Sequence, residues 1–448
     1  MDSKSLFGTS GIRGSADELF TQQFSFDIGR TFALFLKKNK QQGGVAIGMD
    51  PRGSSPQIKE NVISGLQYEG FEVFDEGATP VPSMCFLLQT TDYITASIMV
   101  TGSHIKANLN GVKFFAFNEE IYKIHEIEID KIYLEVKDEV KAPTSNVEVN
   151  LETKAVDEYK KMLLDLGGKS YPKWRVVVDP GDGAQSDVMP FVLKSLGIDV
   201  IEMNCTIQGE FFARDTENFE DYAELMKRVV SEKADFGIGF DSDGDRCIFI
   251  DKEGNFIPGD YTATLIARET NDKKVVTTLA ASQVIDHINK EIVRTVVGAP
   301  HVLKAMKDNN ARFGFEPNGG GVSAEIMYTR DGGSTVIKLL NILREKKQTL
   351  EEAVSTLPKF YISKAKVDYK WEQKDKIISE AKNHFKGQKT DARDGLKIWL
   401  DDSTWMLFRS SQNAPEFRVF AESKDEQRSK DLLKKGVDFV EGIIKENK

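Results

Sequence analysis

Residues 239–251 read GFDSDGDRCIFID and place Asp241, Asp243 and Asp245 at every second position between two apolar runs. ADFGIGF reads as a strand entering a tight Gly turn, and CIFI as the strand leaving it. Alternate residues of an extended segment face one side, which predicts that the three carboxylates converge. Like charges that close repel unless a hard cation sits among them, and Mg²⁺ suits carboxylate oxygens. An EF-hand loop is excluded, because its sixth and twelfth positions fall on Arg246 and Lys252. A solvated acidic turn is the plain alternative. Arg246 argues against it, since a cation beside a metal site has an anion such as phosphate to hold.

Four other polar loops carry groups of the same chemistry. TGSHIKANLNGVKFF (residues 101–115) follows the apolar run ITASIMV, so Ser103 and His104 lie just past a strand end, where open α/β sheets keep their ligands. Asn108, Asn110 and Gly111 shape that turn, and Lys113 adds a cation. SLFGTSGIRGS surrounds Arg13 with small residues, a combination of amides and guanidinium that cradles anions. RSSQNAPEFRVF (residues 409–420) groups Arg409, Ser410, Ser411, Gln412, Asn413 and Arg418, a donor set suited to phosphate. GFEPNGGG (residues 314–321) sets Glu316 and Asn318 among glycines, suited to hydroxyls of a polyol.

The elements behind these loops follow from apolar periodicity. Three segments repeat the order strand, polar turn, helix, strand: VAIGMD to FEVFDEG, RVVVD to IDVIEMN, and KVVTTL through QVIDHINKEI to VRTVVG. Ile58, Val62, Ile63 and Leu66 recur at helical spacing, as do Val188, Phe191 and Val192. Such units imply right-handed crossovers and mixed sheets covered on both faces. The last part reads differently, as a helix in EQKDKIISEAKNHF, paired strands in DGLKIWLDDSTWMLFRSS and an amphipathic helix in SKDLLKKGVDFVEGIIKEN. The expectation is an α/β chain of three similar α/β domains with mixed sheets (1–145, 146–256 and 257–360) plus a smaller C-terminal α+β domain (361–448). The breaks fall at the linker-like KDEVKAPTSNVEVN (residues 137–150), at FIPGD and at LPKFYISKAKV.

At 448 residues the chain is too long for one core, and 40% apolar with 29% charged residues is ordinary for a soluble protein. No apolar run is long enough to span a bilayer, and residues 1–13 lack a secretory core. Cys85, Cys205 and Cys247 form no CxxC pair, so packed thiols in a reducing cytoplasmic compartment are expected. The net charge of −10, with both signs mixed, argues against nucleic acid or an anionic membrane as partner. Any phosphate must then be held by local cations and amides. The expected assembly is a monomer or a homodimer.

In this order, FGTSGIRG, GMDPRGSS, TGSHIKANLNGVKFF, DSDGDR, GFEPNGGG and RSSQNAPEFRV resemble the α-D-phosphohexomutase superfamily, of the phosphoglucomutase, phosphomannomutase and phosphoglucosamine mutase type, over essentially the whole chain. The resemblance implies four domains around a central cleft. It also implies exchange of phosphate between the 6- and 1-hydroxyls of a hexose through a hexose 1,6-bisphosphate that turns end for end. On that likeness Ser103 is the serine that carries the phosphoryl group. Asp241, Asp243 and Asp245 bind Mg²⁺ together with the Ser103 group. Arg13 and Arg246 lie beside the transferring phosphate, and His104 and Lys113 assist proton transfer and charge neutralisation. Glu316 and Asn318 hold the sugar, while Arg409, Ser411, Asn413 and Arg418 grip the other phosphate. A C-terminal domain hinged near residue 360 closes the cleft against water.

The departures bear on the sugar. The commoner serine loop is TASHNP, and here Gly102 precedes Ser103. The sugar loop is usually GE-x-SG, but Asn318 replaces its serine, and Gly320 stands where some members have histidine. The VGDK segment becomes VVGAPH, with Pro300 in place of lysine and His301 beside it as a candidate substrate contact. Asn413 replaces the threonine of RPSGTEP. The expected activity is a phosphohexomutase acting on glucose or mannose phosphates, with glucosamine phosphate as the alternative sugar. From other classes, a sugar-phosphate phosphatase and a non-catalytic sugar-phosphate sensor compete.

Overall fold

Three of the four sheets share one strand order, and in each the last strand turns back antiparallel. The computed structural model describes residues 5–8, 10–143, 149–207, 212–411 and 415–445. In the first sheet Val73–Ala78, Gly44–Met49 and Ile94–Val100 run parallel, and Leu109–Ala116 returns antiparallel against Ile94–Val100. The second repeats this with Asp199–Glu202, Arg175–Asp179 and Phe236–Phe240, returned by Cys247–Asp251. The third does so with Glu291–Thr295, Lys274–Thr278 and Phe313–Phe315, returned by Gly321–Ser323. The C-terminal sheet is antiparallel throughout, in the order 361–368, 416–423, 404–410, 396–401 and 389–391. The chain is thus an α/β protein of four domains.

Central strands such as Gly44–Met49 and Phe236–Phe240 are apolar on both faces because helices cover both sides. On the first sheet the helices Gln22–Lys38 and Ser55–Tyr68 cross so closely that backbones touch. A Cβ on Gly65 would stand 2.1 Å from the Phe26 carbonyl oxygen, and one on Gly29 2.2 Å from that of Val62. Ile58, Val62, Ile63 and Leu66 are buried there as the periodicity requires.

Two local expectations change. Phe191 is 50% exposed. The short helix Met189–Ser195 turns Met189, Val192 and Leu193 inward, and Phe191 lies outside with Lys160 Nζ 5.1 Å from its ring centroid. QVIDHINKEI is not a full helix: Gln283–His287 forms a single 3₁₀ turn. The crossover from Thr278 to Glu291 is too short for more, and Glu291 already begins the next strand. Of the linker-like stretch, residues 144–148 fall outside the described set, and Asn150–Leu151 pairs onto the first sheet's edge, past residue 145.

The C-terminal domain meets the others through polar ties, two of them buried and the third, Lys364 with Glu217, solvent-accessible. Lys397 Nζ donates to the Leu279 carbonyl (2.7 Å), Glu422 accepts from Gln283 N–H (3.0 Å), and Lys364 pairs with Glu217. A cavity of about 780 Å³ borders this junction, lined by Glu217, Asp260, Tyr361 and Lys364 among others and not by the acidic triad. Among the described residues no helix is long and apolar enough to cross a membrane.

The helix crossing yields a stability test. Gly65→Ala should cost about 1–3 kcal/mol by overpacking, despite the gain of about 1 kcal/mol that alanine brings to a helix. Gly442→Ala, in the helix Glu426–Lys445 with nothing within 4 Å of its added Cβ, should only stabilise. Chemical denaturation of the two variants reads the opposite signs.

Candidate active site

Four of the five loops singled out by their residue types are the return hairpins of the four sheets; the fifth, around Arg13, leads into the N-terminal strand Ile12–Ser15. Residues 101–108 join Ile94–Val100 to Leu109–Ala116, 241–246 join Phe236–Phe240 to Cys247–Asp251, 316–320 join Phe313–Phe315 to Gly321–Ser323, and 411–415 join Thr404–Ser410 to Glu416–Ser423. The same topological position in every domain therefore supplies one wall of the site.

The carboxylates of Asp241, Asp243 and Asp245 converge, but not by the alternation of an extended strand. They sit on a tight turn, with Gly244 at φ +68°, and each offers an oxygen within 4.8 Å of the others. All three are buried. Three cations from three parts of the chain surround them. Lys113 Nζ lies 2.8 Å from Asp243 Oδ2 and 2.9 Å from Asp245 Oδ2, Arg330 Nη2 lies 2.7 Å from Asp245 Oδ2, and Arg246 Nε stands 3.7 Å from Asp241 and 3.6 Å from Asp245. Burial and the neighbouring Asp243 and Asp245 push the Asp241 carboxyl well above its usual range. Burial also acts upward on Asp245, yet Arg330, Lys113 and Arg246 outweigh it and hold that carboxyl low.

Ser103, from the first domain, closes on this turn from the second. Its Oγ donates to Asp241 Oδ2 at 2.9 Å and lies 3.4 Å from His104 Nδ1. Its backbone takes the left-handed conformation (φ 52°), which costs a non-glycine residue on the order of 1–3 kcal/mol. Neighbours hold it there: the Ser103 amide donates to Thr101 Oγ1 (2.8 Å), and its carbonyl accepts from Arg52 Nη2 and Ser242 Oγ, both at 2.5 Å. Burial, then Arg246 and Arg13, depress the His104 imidazole well below its usual value, so the ring is neutral. Arg13 Nη1 donates to the Gly102 carbonyl (3.1 Å), and burial lowers its guanidinium to about 10.

The other two loops face the same space. Glu316 accepts from Gly298 N–H (3.0 Å) and from Arg330 Nη1 (3.0 Å), while the Asn318 carbonyl accepts from Thr216 Oγ1 (2.7 Å). Arg409 Nε pairs with Asp394 Oδ2 at 2.8 Å, and Arg418 Nη2 stands 3.8 Å from Glu416. Ser411 N–H donates to the Glu416 carbonyl (2.8 Å). Asn413 lies outside the described residues. His301 is in the first turn of the helix Ala299–Asp308, half-buried, and its imidazole is lowered by burial and by Lys123, with Asp394, Glu316 and Arg409 also acting on it. The turn before it ties the sugar loop to the phosphate loop, because Val297 N–H donates to Asp394 (2.9 Å) while Gly298 N–H donates to Glu316.

The donor set fits a hard divalent cation. Asp243 Oδ1 and Asp245 Oδ1 are buried with no hydrogen-bond partner, and carboxylate oxygens suit such a cation. The opposite holds at the phosphate loop, where Arg409 Nη2 and Arg418 Nε are buried donors without a partner. The orphaned acceptors suit a cation; orphaned donors, present on Arg246 Nε and Arg330 Nε beside the triad as well as at the phosphate loop, suit an anion.

Three side chains that build the site were not singled out from their residue types. Asp50 and Arg52, in the first turn of GMDPRGSS, form a fully buried ion pair (2.9 Å). Asp50 Oδ2 accepts from Thr101 Oγ1 (2.8 Å) and Gly102 N–H (3.2 Å). Arg52 also donates to the carbonyls of Lys106 and Leu109, both at 2.8 Å. The third is Arg330. A charged pair in a turn between an apolar strand and a helix was the available signal for the first two; TRDGG offered only an arginine beside a helix cap.

Arg52 also accounts for Gly102. A Cβ there would stand 2.5 Å from Arg52 Cζ, and the guanidinium is fixed by its carbonyl and Asp50 contacts, so it cannot yield cheaply. Gly102→Ala, which restores the commoner loop residue, should therefore cost about 1–3 kcal/mol of local strain. Phosphoryl uptake and turnover should both fall; an unimpaired variant would show the arginine free to move.

Family models for the phosphoglucomutase/phosphomannomutase α/β/α domains I, II and III match residues 4–141, 156–254 and 258–361. A phosphoglucomutase/phosphomannomutase of Thermococcus kodakarensis is 34% identical over 98% of this chain and 99% of its own. A probable phosphoglucosamine mutase of Methanopyrus kandleri is 31% identical over 98% of both. In fold, a putative phosphomannomutase from Thermus thermophilus superposes with a TM-score of 0.83 at 20% identity, covering 98% of this chain and 100% of that one. With four hairpin loops converging as that architecture requires, the chain belongs to the phosphoglucomutase/phosphomannomutase family of the α-D-phosphohexomutase superfamily, and it is a phosphohexomutase, an isomerase acting on hexose phosphates.

Proposed function

We propose that this mutase interconverts the 6- and 1-phosphates of glucose and mannose, with Ser103 as the carrier of the phosphoryl group. The observation that carries this reading is the 2.9 Å contact of Ser103 Oγ with Asp241, made by a serine held in a left-handed backbone conformation. Lys40 and Lys347 share that backbone conformation at exposed turns, and what sets Ser103 apart is its burial against the Asp241 carboxyl. Asp241, Asp243 and Asp245 would hold Mg²⁺ with the Ser103 group, and the ion would draw negative charge from the transferring phosphoryl oxygens.

The charge count supports binding of cation and phosphate together. Lys113, Arg246 and Arg330 face Asp243, Asp245 and an Asp241 carboxyl that burial and its acidic neighbours push upward, and Arg330 is shared with Glu316. A divalent cation arriving with a phosphoryl dianion preserves that balance, whereas either alone would bury two net charges. Phosphoryl transfer then needs positioning more than covalent help. Arg13 and Arg246 bind the transferring group. Neutral His104, at 3.4 Å, can take or return a proton at the Ser103 oxygen. Glu316 and Asn318 bind sugar hydroxyls. Arg409, Ser411, Asn413 and Arg418 grip the phosphate at rest, with His301 beside them. The 6-phosphate sugar accepts phosphate at O1, and the bisphosphate turns over. Its other phosphate then returns to Ser103, and the isomer leaves.

The 34%-identical relative, a phosphoglucomutase/phosphomannomutase, supports the glucose and mannose assignment. A relative at 31% carries the name probable phosphoglucosamine mutase and favours glucosamine phosphate as a second reading. A coupled assay of glucose, mannose and glucosamine 1-phosphates, with Mg²⁺ and a bisphosphate activator, separates them. Faster turnover of glucosamine 1-phosphate hands the sugar to the second reading. Chelation should abolish turnover and Mg²⁺ should restore it. Ser103→Ala should lower isomerisation by more than about 10³-fold, as removal of a covalent carrier does; an active variant would remove the serine from the mechanism.

A further inference from the structure

Arg330 belongs to none of the motif loops, yet it touches two of them. Its side chain is 4% exposed. Nη2 lies 2.7 Å from Asp245 Oδ2 in the metal loop, and Nη1 lies 3.0 Å from Glu316 Oε2 in the sugar loop. The residue on its C-terminal side is locked in place. Asp331 caps the helix Gly332–Lys346 through Ser334 N–H and accepts the Tyr159 hydroxyl. A Cβ on Gly332 would stand 2.8 Å from the Gly244 carbonyl oxygen, so the backbone beside Arg330 packs directly on the metal turn.

A second, independent observation concerns Gly320. A Cβ at that position would meet Arg330 Cδ at 2.9 Å and Arg330 Cβ at 3.1 Å, as well as the Asp245 carbonyl oxygen at 2.9 Å. Arg330 therefore fills the space that a side chain at 320 would take. The glycine and the arginine are two halves of one arrangement.

We propose that Arg330 is a positioning residue for phosphoryl transfer, setting the spacing between the metal-loop carboxylate Asp245 and the sugar-loop carboxylate Glu316. A guanidinium suits the task because its two terminal nitrogens sit at a fixed separation and hold two carboxylates at once. A lysine keeps the charge but is a single point on a flexible stem. The sugar hydroxyl that attacks the phosphoryl group is placed by Glu316, and the phosphoryl group is placed at the aspartates. The arginine thus joins the two ends of the reacting geometry without touching either reactant.

The proposal rests on Ser103 as phosphoryl carrier, and the test keeps the two apart. Wild type, Arg330→Lys and Gly320→Ala are compared in the full chain. Phosphoryl uptake from a hexose 1,6-bisphosphate is read by intact mass, kcat and KM by the coupled assay, and folding by thermal melting. Wild type failing to take up phosphate would sink the Ser103 assignment rather than this proposal. Arg330→Lys should melt as wild type and still take up phosphate, while kcat falls about 100-fold, the order of loss from a misplacement near 1 Å, with KM little changed. Gly320→Ala keeps the charge but displaces the guanidinium, so its kcat should fall as well, which preserves the test should the lysine variant not fold. Unchanged kcat in either folded variant overturns the proposal, as does a loss that tracks melting temperature or a lowered final extent of phosphoryl uptake.

Discussion

Three buried carboxylates with ligand oxygens within 4.8 Å of one another are the constraint around which the molecule is arranged. At about 4 Å and an effective dielectric near 20, each like-charged pair repels by on the order of 4 kcal/mol. Opposing that needs cations, and they come from separate domains: Lys113 from the first, Arg246 from the acidic turn itself and Arg330 from the third. The triad is therefore neutralised only when three domains are docked. Charge balance at the reacting centre and assembly of the cleft become the same event, and Ser103 is one of the points, with Lys113 and Thr101, where first and second domain meet.

Sheet topology explains how one chain aims four loops at one place. Each of the first three domains ends its parallel run with an antiparallel return strand, and the hairpin carries residues proposed for the site; in the C-terminal sheet 411–415 hold the same position in the chain. Close backbone packing then locks two of these loops together. A Cβ on Gly319 would stand 1.9 Å from the Cys247 carbonyl oxygen, so the sugar loop lies directly on the metal strand. The C-terminal domain is attached through polar contacts, among them Asp394, which accepts from Val297 N–H and pairs with Arg409, and Lys364 with Glu217.

Much of this was legible in residue types and spacing. The acidic run, the apolar strands beside it and the helical spacing of Ile58, Val62, Ile63 and Leu66 all correspond to what the fold contains. The physical basis of the convergence differed: a turn with Gly244 at positive φ gathers the aspartates, not strand alternation. Phe191 matched the helical period yet faces out, because a seven-residue helix buries too narrow a stripe. QVIDHINKEI carried helical spacing, but the neighbouring strands left room for one turn only. Arg52 and Arg330 escaped notice for a different reason. Their roles depend on which carbonyls and carboxylates tertiary packing brings to them, and on volumes left by Gly102 and Gly320, none of which is local in sequence.

The claim on which the account turns is that a divalent ion among the aspartates shares a ligand with the Ser103 group. Anomalous diffraction from crystals of the phosphorylated protein grown with Mn²⁺ in place of Mg²⁺ tests it directly. The account predicts one peak bounded by Asp241, Asp243 and Asp245, within bonding reach of an oxygen on Ser103. A peak confined to the other acidic group, Asp251 with Glu253 and Glu351, or a triad still bridged by Lys113 with no ion present, would contradict it.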